Sequence, residues 1–388
     1  MLRVLTLSTL FPDAARPRFG PFVERQTLGI AAHPDVELKV IAPIGVPPWP
    51  ISCHAHYRAF NALPARETWQ GLDIFRPRFT HIPATAGRFD ADALARRITP
   101  LLAEIRKDFP FDLIDAEFFF PDGPAAVRLG QHFGVPVSIK ARGADIHFWG
   151  SNPATAQQVR EAGCKADGLL SVSQALKDDM VALGIDEARI RVHYTGVDLA
   201  RFNPLDRAQA KTSLGINCPL ITSVGALIPR KGQSILIDAL QHLPDATLAL
   251  IGQGESRDQL EEQARLQGVA DRVIFTGPLD HDAIAHWLAA ADVMALLSAS
   301  EGLANAWVEA LACGTPIVIT EAGGAREVLQ DESAGRIVTR TAAASAAAIA
   351  AILNNPPAPS ACRAVAERFT WPRNTEALYE HFLLLTGK

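Results

Sequence analysis

Short apolar runs alternate along this chain with segments in which apolar residues recur every three to four positions. In the first half, the runs Arg3–Thr9, Glu37–Ala42, Leu113–Ala116, Val135–Lys140, Gly168–Val172 and Ile190–Tyr194 predict strands. Helical periodicity over Phe22–Ala32, Asp90–Lys107, Asp122–Phe133 and Ser173–Leu183 predicts helices between them. Such alternation builds an α/β domain around a mostly parallel sheet. Residues 44–83 are Pro-rich and read as an irregular excursion from that sheet, of the kind that carries binding residues. The pattern pauses at Thr195–Pro204, which puts a domain boundary near 195–205. It resumes with predicted strands at Leu220–Val224, Thr247–Ile251, Arg272–Thr276, Val293–Leu297, Pro316–Thr320 and Arg336–Thr339, with helices between them. The Ala-rich segment 341–353 reads as a helix that Asn354–Pro359 breaks, and Ser360–Arg368 and Asn374–Leu385 read as two more. Two α/β halves facing each other predict a ligand crevice between them.

Composition supports two full cores: 388 residues, 48% of them apolar. The net charge of −5, with no polybasic stretch, argues against a nucleic-acid partner. Five scattered cysteines without a Cys-x-x-Cys argue against a zinc site or a disulfide framework and for a reducing compartment. The first ten residues hold too short an apolar run for a signal peptide, and no stretch approaches the roughly 18 apolar residues of a membrane span. The expectation is a cytoplasmic protein, peripheral to a membrane at most.

The chemistry concentrates in residues 292–327. There the strand-like run Val293–Leu297 leads through a Ser/Glu/Gly loop into a helix predicted over Leu303–Cys313, with Gly314 at its stop and Pro316 beyond. Gly323-Gly324 opens another short helix. Glu301 falls on the loop and Glu309 about two turns into the helix. The first amides of that helix, Leu303, Ala304, Asn305 and Ala306, lack intrahelical partners and favour an anion such as a phosphate. Carboxylates repel phosphate but accept bonds from sugar hydroxyls, so the combination suits a ligand that is part sugar and part phosphate. A surface helix with glutamates placed for solubility is the competing explanation.

Other strand ends carry related signals. Ser223–Gly232 places Arg230 and Lys231 where two cations balance a diphosphate, or form only a solvated basic turn. Ile251-Gly252-Gln-Gly254 allows close backbone approach to a ligand, although Arg257 stands where a dinucleotide fingerprint has its third glycine. Gly20, in the loop Arg16–Gln26, either lets the backbone near a phosphate or makes a tight turn. Lys140-Ala-Arg142-Gly143-Ala-Asp145-Ile-His147 groups cation, glycine and carboxylate at a sheet edge; Arg142 and Asp145 fit a surface ion pair equally well, and His147 reads as structural or solvated. All of these lie after strands, on the side where α/β sheets bind ligands.

At this point the pattern resembles the retaining glycosyltransferases of family 4, which have the GT-B architecture. The likeness spans nearly the whole chain and is densest from Ser171 to Glu327. Its carriers are Ser171-Val-Ser173-Gln-Ala-Leu-Lys-Asp-Asp-Met, the linker Thr195-Gly-Val-Asp198…Phe202-Asn-Pro204, the Glu-x7-Glu signature from Glu301 to Glu309, and Phe369-Thr-Trp371 before a final helix. The resemblance implies two Rossmann-like α/β domains facing across a cleft. Residues 1–198, completed by a helix over 372–388 that crosses back, would bind the acceptor, and residues 199–371 the nucleotide-sugar donor.

It also implies roles. Glu309 would bond ribose hydroxyls and Glu301 hydroxyls of the transferred sugar. The amides of Leu303 to Ala306 would hold the diphosphate under Lys231 and Arg230. Backbone around Gly252 and around Gly277-Pro-Leu279 would meet the nucleotide, and Gly20 would approach the phosphates from the first domain. Glu301, Lys231 and Arg142 are the candidates for the catalytic step. The implied donor is a UDP- or GDP-sugar and the implied acceptor a sugar or lipid-linked sugar, with no metal or other cofactor. Three positions depart from the family pattern: Ala226 stands where an Arg is common, Arg142 where a His is common, and Ala304 where Pro or Gly is common. A sugar-nucleotide epimerase and a non-catalytic sugar-nucleotide-binding subunit are the alternatives. Between Arg58 and Lys107 basic residues outnumber acidic ones and mix with Phe60, Trp69, Phe75, Phe79 and Phe89, with Trp49 just before. That suits a peripheral contact with the inner membrane face or an ordinary mixed-charge surface.

Overall fold

Sixteen short strands form three sheets in the computed structural model, which describes residues 1–17 and 19–388, the side chain of His56 excepted. Arg18, in the loop before Gly20, lies outside the described residues. In chain order the strands are β1 Leu2–Leu7, β2 Val36–Ile41, β3 Ile44–Val46, β4 Arg66–Trp69, β5 Leu72–Phe75, β6 Arg78–Thr80, β7 Leu113–Ala116, β8 Val137–Ala141, β9 Gly168–Ser171 and β10 Ile190–Val192. They continue with β11 Leu220–Val224, β12 Thr247–Ile251, β13 Val273–Gly277, β14 Val293–Leu296, β15 Ile317–Thr320 and β16 Gly335–Val338. The chain divides into two α/β units, residues 1–196 with 371–388, and residues 197–370.

The first unit is built on an eight-stranded sheet in the order β10-β9-β8-β7-β1-β2-β5-β4, parallel except for the β4–β5 pair. β7 and β8 are buried along their whole length, as a sheet covered on both faces requires. One face packs Ile114, Ile139 and Leu169 against Leu94, Ile98 and Leu102 of the helix Asp90–Asp108. On the other, Leu378 and Phe382 of the last helix, Trp371–Thr386, close over Leu2, Val4, Leu113 and Leu170. Burying those two side chains stabilises the unit by about 2 kcal/mol each, so the chain's last segment is part of the first unit's core.

Residues 44–83 differ from the expectation of an irregular excursion. β5 pairs parallel with β2, β4 closes the sheet edge, and β3 and β6 form a parallel pair of their own. The prolines fall between strands, Pro43 after β2 and Pro77 after β5, where a missing N–H costs no ladder bond.

The second unit holds a wholly parallel sheet in the order β13-β12-β11-β14-β15-β16. Every residue of β14 and β15 is buried. Leu236, Ile237 and Leu240, together with Ile349 and Ile352 from the Ala-rich helix Ala342–Asn354, fill the core against Leu248, Leu250 and Val293. Among the described residues, no helix is long and apolar enough to cross a membrane.

Candidate functional site

In the second unit the strand order reverses between β11 and β14, so their connections leave the sheet to opposite sides and open a crevice at their carboxyl ends. The loop after β11 carries Arg230 and Lys231, and the loop after β14 carries Glu301. Backbone and side-chain bonds join the two. Ala299 N donates to Arg230 O at 2.8 Å, and the Arg230 guanidinium donates to Ser300 O. Arg340, just beyond β16, donates from Nε to Leu297 O at 2.8 Å and from NH2 to Pro229 O at 2.9 Å.

Within this frame Lys231 Nζ donates to Glu301 Oε1 at 2.5 Å, and Ser298 Oγ lies 2.6 Å from the same oxygen. Arg230 NH1 stands 3.6 Å from Glu301 Oε2. The Lys231 and Glu301 side chains are 14% and 9% exposed, so the pair is largely withdrawn from water. A third loop closes on the same point. Gly324 N donates to Gly302 O at 2.7 Å, and a Cβ on Gly323 would fall 2.2 Å from Glu301 O and 2.4 Å from Gly302 O. With φ of 51° as well, position 323 admits only glycine without displacing the Glu301 backbone.

The following helix spans Asn305–Ala312, two residues shorter at its start than expected. Leu303 and Ala304 precede it, both buried, and Ala304 is its N-cap. The first-turn amides therefore belong to Asn305, Ala306 and Trp307, of which Trp307 N reaches Ala304 O at 3.1 Å. An alanine cap has no side-chain oxygen to offer these amides, and none is bonded by a capping side chain. The periodicity of Leu303 extends the predicted helix, but its burial comes from the loop. Glu309 is half-buried and sits just over one turn into the helix, not two.

Gly252, Gly225 and Gly277 stack at neighbouring strand ends. Gly252 N donates to Gly277 O at 3.0 Å, and a Cβ on Gly252 would lie 2.0 Å from Gly225 O. The space beside Gly252 is thus taken by the chain's own loop. Leu279 is half-buried beside Asp280, whose Oδ1 caps the helix His281–Ala290 by accepting from Ala283 N at 2.8 Å. The carbonyl of Ala226 accepts from buried Gln233 Nε2 at 2.9 Å.

Gly20 and Arg142 belong to the first unit, around its own strand-order reversal between β1 and β7. Gly20, with φ of 63°, begins the helix Pro21–Ala31, and a Cβ there would meet Leu10 O at 1.7 Å. That contact alone demands glycine. Arg142 and Asp145 are not the surface ion pair that spacing allowed. Arg142 is buried against Glu117, donating to its carboxylate through NH2 and to its backbone carbonyl through Nε at 2.8 Å, with the guanidinium 4.8 Å from the Phe22 ring centre. Asp145 instead gathers backbone amides of Phe119 (3.0 Å), Arg142 (2.9 Å) and Gly143 (2.8 Å), which shapes the turn after β8. Burial pushes its carboxyl above the ordinary range against the pull of those amides. His147 Nε2 pairs with Asp179 at 2.9 Å, as a structural histidine does.

Sequence reasoning passed over Ser298, Gln233, Arg340, Glu117, Gln26 and His193. Ser298 and Glu117 carry a usable signal, because each closely follows an apolar strand. Arg340 carries none, since it reaches its partners across three strand positions of the sheet. Among the described residues, no group of three His, Cys, Asp or Glu side chains is arranged to hold a metal ion.

Two family models match this chain: glycosyl transferases group 1 over residues 206–369, and glycosyltransferase family 4 over residues 66–201. The chain is 26% identical over 358 residues to a putative teichuronic acid biosynthesis glycosyltransferase of Bacillus subtilis, covering 90% of this chain and 88% of that protein. It is 31% identical over 233 residues to a GDP-mannose-dependent alpha-(1-6)-phosphatidylinositol monomannoside mannosyltransferase of Mycolicibacterium smegmatis, covering 56% and 60% of the two chains. The alignments with several D-inositol 3-phosphate glycosyltransferases span about half or less of those proteins. Among solved structures, Anabaena HepE in complex with UDP superposes with a TM-score of 0.75 at 22% identity, covering 99% of this chain and 100% of that one. Sucrose-phosphate synthase from Thermosynechococcus elongatus superposes at 0.76 and 20% identity, covering 100% and 98%. Together with the two α/β units and the Glu301–Glu309 signature, these matches establish that the chain belongs to the group 1, family 4 glycosyltransferases and has their GT-B fold.

Proposed function

We propose that this chain transfers a sugar from a nucleotide-diphosphate sugar to an acceptor hydroxyl, with retention of anomeric configuration and without a metal ion. The observation that carries the reading is the crevice at the ends of β11 and β14. It brings two cations, a largely buried carboxylate and an uncapped helix start to one place. The Asn305 and Ala306 amides hold the diphosphate, with Leu303 and Ala304 packed behind them, and Lys231 and Arg230 neutralise the charge that grows as it leaves. Glu301 trades part of its bonding to Lys231 for hydroxyls of the sugar, and Glu309 takes the ribose hydroxyls. The strand-end backbone at Gly252 and Gly277, with Leu279, meets the base.

The chemistry asks little of a carboxylate base. The bond between the anomeric carbon and the phosphate oxygen breaks, and the carbon becomes cation-like. The acceptor hydroxyl attacks from the face the phosphate left, and its proton passes to the departing phosphate oxygen. Lys231 and Arg230 take the place that a divalent ion fills in other transferases. The first unit binds the acceptor, with Gly20 keeping the start of its helix free of a side chain and Arg142 supplying a fixed cation. The Anabaena protein with this fold is known in complex with UDP and with UDP-glucose, and relatives are named for teichuronic acid and phosphatidylinositol mannoside synthesis, which supports a UDP- or GDP-sugar donor and a polysaccharide or lipid-linked acceptor. The test is a panel of nucleotide sugars with and without candidate acceptors. Release of nucleoside diphosphate with a retained anomer, unaffected by EDTA, is the expected result. Turnover of the nucleotide sugar into an isomer without acceptor marks an epimerase, and binding without any turnover marks a non-catalytic subunit.

The first unit also presents a surface suited to a bilayer. Trp49 is 81% and Phe148 60% exposed, and Ile51, Ile82 and Phe89 are exposed as well. Segments 43–66 and 74–89 contain no acidic residue. Phe79, by contrast, is buried, and Trp69 and Phe75 are half-buried in the hairpin packing, so they do not join this face. We propose that these exposed apolar residues, with the acid-free segments that carry Trp49, Ile51, Ile82 and Phe89, touch an anionic membrane while a lipid-linked acceptor is served.

A further inference from the structure

Behind Arg142 runs an unbroken series of buried side-chain bonds. His193 Nε2 lies 2.8 Å from Asn374 O, at the start of the last helix. A carbonyl only accepts, so Nε2 carries the proton and Nδ1 is left as an acceptor. Lys140 Nζ donates to that Nδ1 at 2.7 Å and to Gln26 Oε1 at 2.6 Å. With its oxygen so engaged, the Gln26 amide must turn its NH2 outward, and Nε2 donates to Glu117 Oε1. The other Glu117 oxygen receives Arg142. Gln26, Glu117, Lys140, His193 and Asn374 are all buried. Burial disfavours the charged forms of Lys140 and His193, and both are held well below their ordinary pKa. Asp115, on β7 two residues before Glu117, is buried, and its pKa is held well above the ordinary range by burial and by Glu117.

A polar array of this size is a poor way to add stability, since apolar side chains of similar volume fill such space at less desolvation cost. What it does determine is orientation. Each bond leaves the next group one choice of tautomer or amide face, and the sequence of choices ends on one orientation of Glu117. We infer that Lys140, acting through Gln26 and Glu117, is a positioning residue that holds the Arg142 guanidinium in a single orientation for sugar transfer. The use of that orientation rests on the proposed function; the orientation itself does not.

The test follows the Arg142 Nε–H by 15N NMR on the full chain, with the resonance assigned by its loss in Arg142→Lys. Lys140→Met and Gln26→Leu each break the series, the second without removing a charge. In both, Arg142 Nε–H exchange is expected to accelerate about tenfold or more, and turnover of the donor found by the panel to fall in kcat with donor KM unchanged. A folded Gln26→Leu variant with wild-type Arg142 exchange overturns the inference, even if Lys140→Met does not fold. A wild-type chain that turns over no nucleotide sugar defeats the proposed function instead, while the exchange measurement still decides whether Lys140 positions Arg142.

Discussion

Lys231 Nζ and Glu301 Oε1 meet at 2.5 Å from loops 70 residues apart in sequence, at the point where the second sheet reverses its strand order. Such a pair adds little net stability, because both groups have lost water to form it. Under the proposed function, its value lies in a cation held next to the helix start Asn305–Ala306, to be shared with an incoming diphosphate.

Lys231→Met should therefore cut kcat by about 10²–10³-fold, the usual cost of removing one preorganised group that stabilises developing charge. Folding is checked by circular dichroism, and steady-state kinetics provides the measurement. A variant within threefold of wild type contradicts the role given to Lys231.

Glu309 and Glu301 should separate by ligand. Glu309→Ala is expected to weaken a nucleoside diphosphate and its nucleotide sugar alike, by about 10–100-fold, as loss of charge-assisted bonds to ribose does. Glu301→Ala should weaken the nucleotide sugar only. Titration calorimetry with both ligands on both variants tells them apart, and a Glu309→Ala chain that binds nucleoside diphosphate normally rejects the ribose assignment.

Burial pushes the Asp122 carboxyl up to about 8, although it accepts from Thr9 N at 2.9 Å. Its folded pKa lies above its unfolded one, so the folded state holds the extra proton between about pH 4 and 8. Stability from this group is full below the unfolded value and is lost as pH rises through the folded one. Asp122→Asn should remove that loss, so that the variant gains on wild type between pH 5 and about 8 in urea melts. Parallel pH profiles for the two proteins would falsify the shift.

For the exposed face of the first unit, sedimentation with vesicles rich in anionic lipid should pellet the wild-type chain and leave a Trp49→Ser, Phe148→Ser variant in the supernatant. Equal pelleting of both excludes that face as the contact.

Much of this architecture is legible in the sequence because the parallel strands are buried on both faces and announce themselves as apolar runs. Leu220–Val224 and Thr247–Ile251 are such runs, and each forms a strand over those same residues. The Glu301 loop is legible too, as a polar break between an apolar strand and a helix. Legibility fails where burial and polarity go together. Lys140 and Gln26 lie inside the first unit as part of a bonded array, and nothing in their local spacing distinguishes them from surface residues. It fails again at Leu303, whose apolar side chain mimics helical periodicity while its backbone belongs to the loop. Arg340 is invisible because its partners, Leu297 O and Pro229 O, come together only through sheet order.

The most direct test of the donor site is diffraction from crystals soaked with the nucleotide sugar that the panel selects. The expected result is diphosphate oxygens within hydrogen-bond reach of Lys231 Nζ and of the Asn305 and Ala306 amides, with ribose hydroxyls on Glu309. A nucleotide ordered anywhere other than the crevice at the ends of β11 and β14 contradicts it.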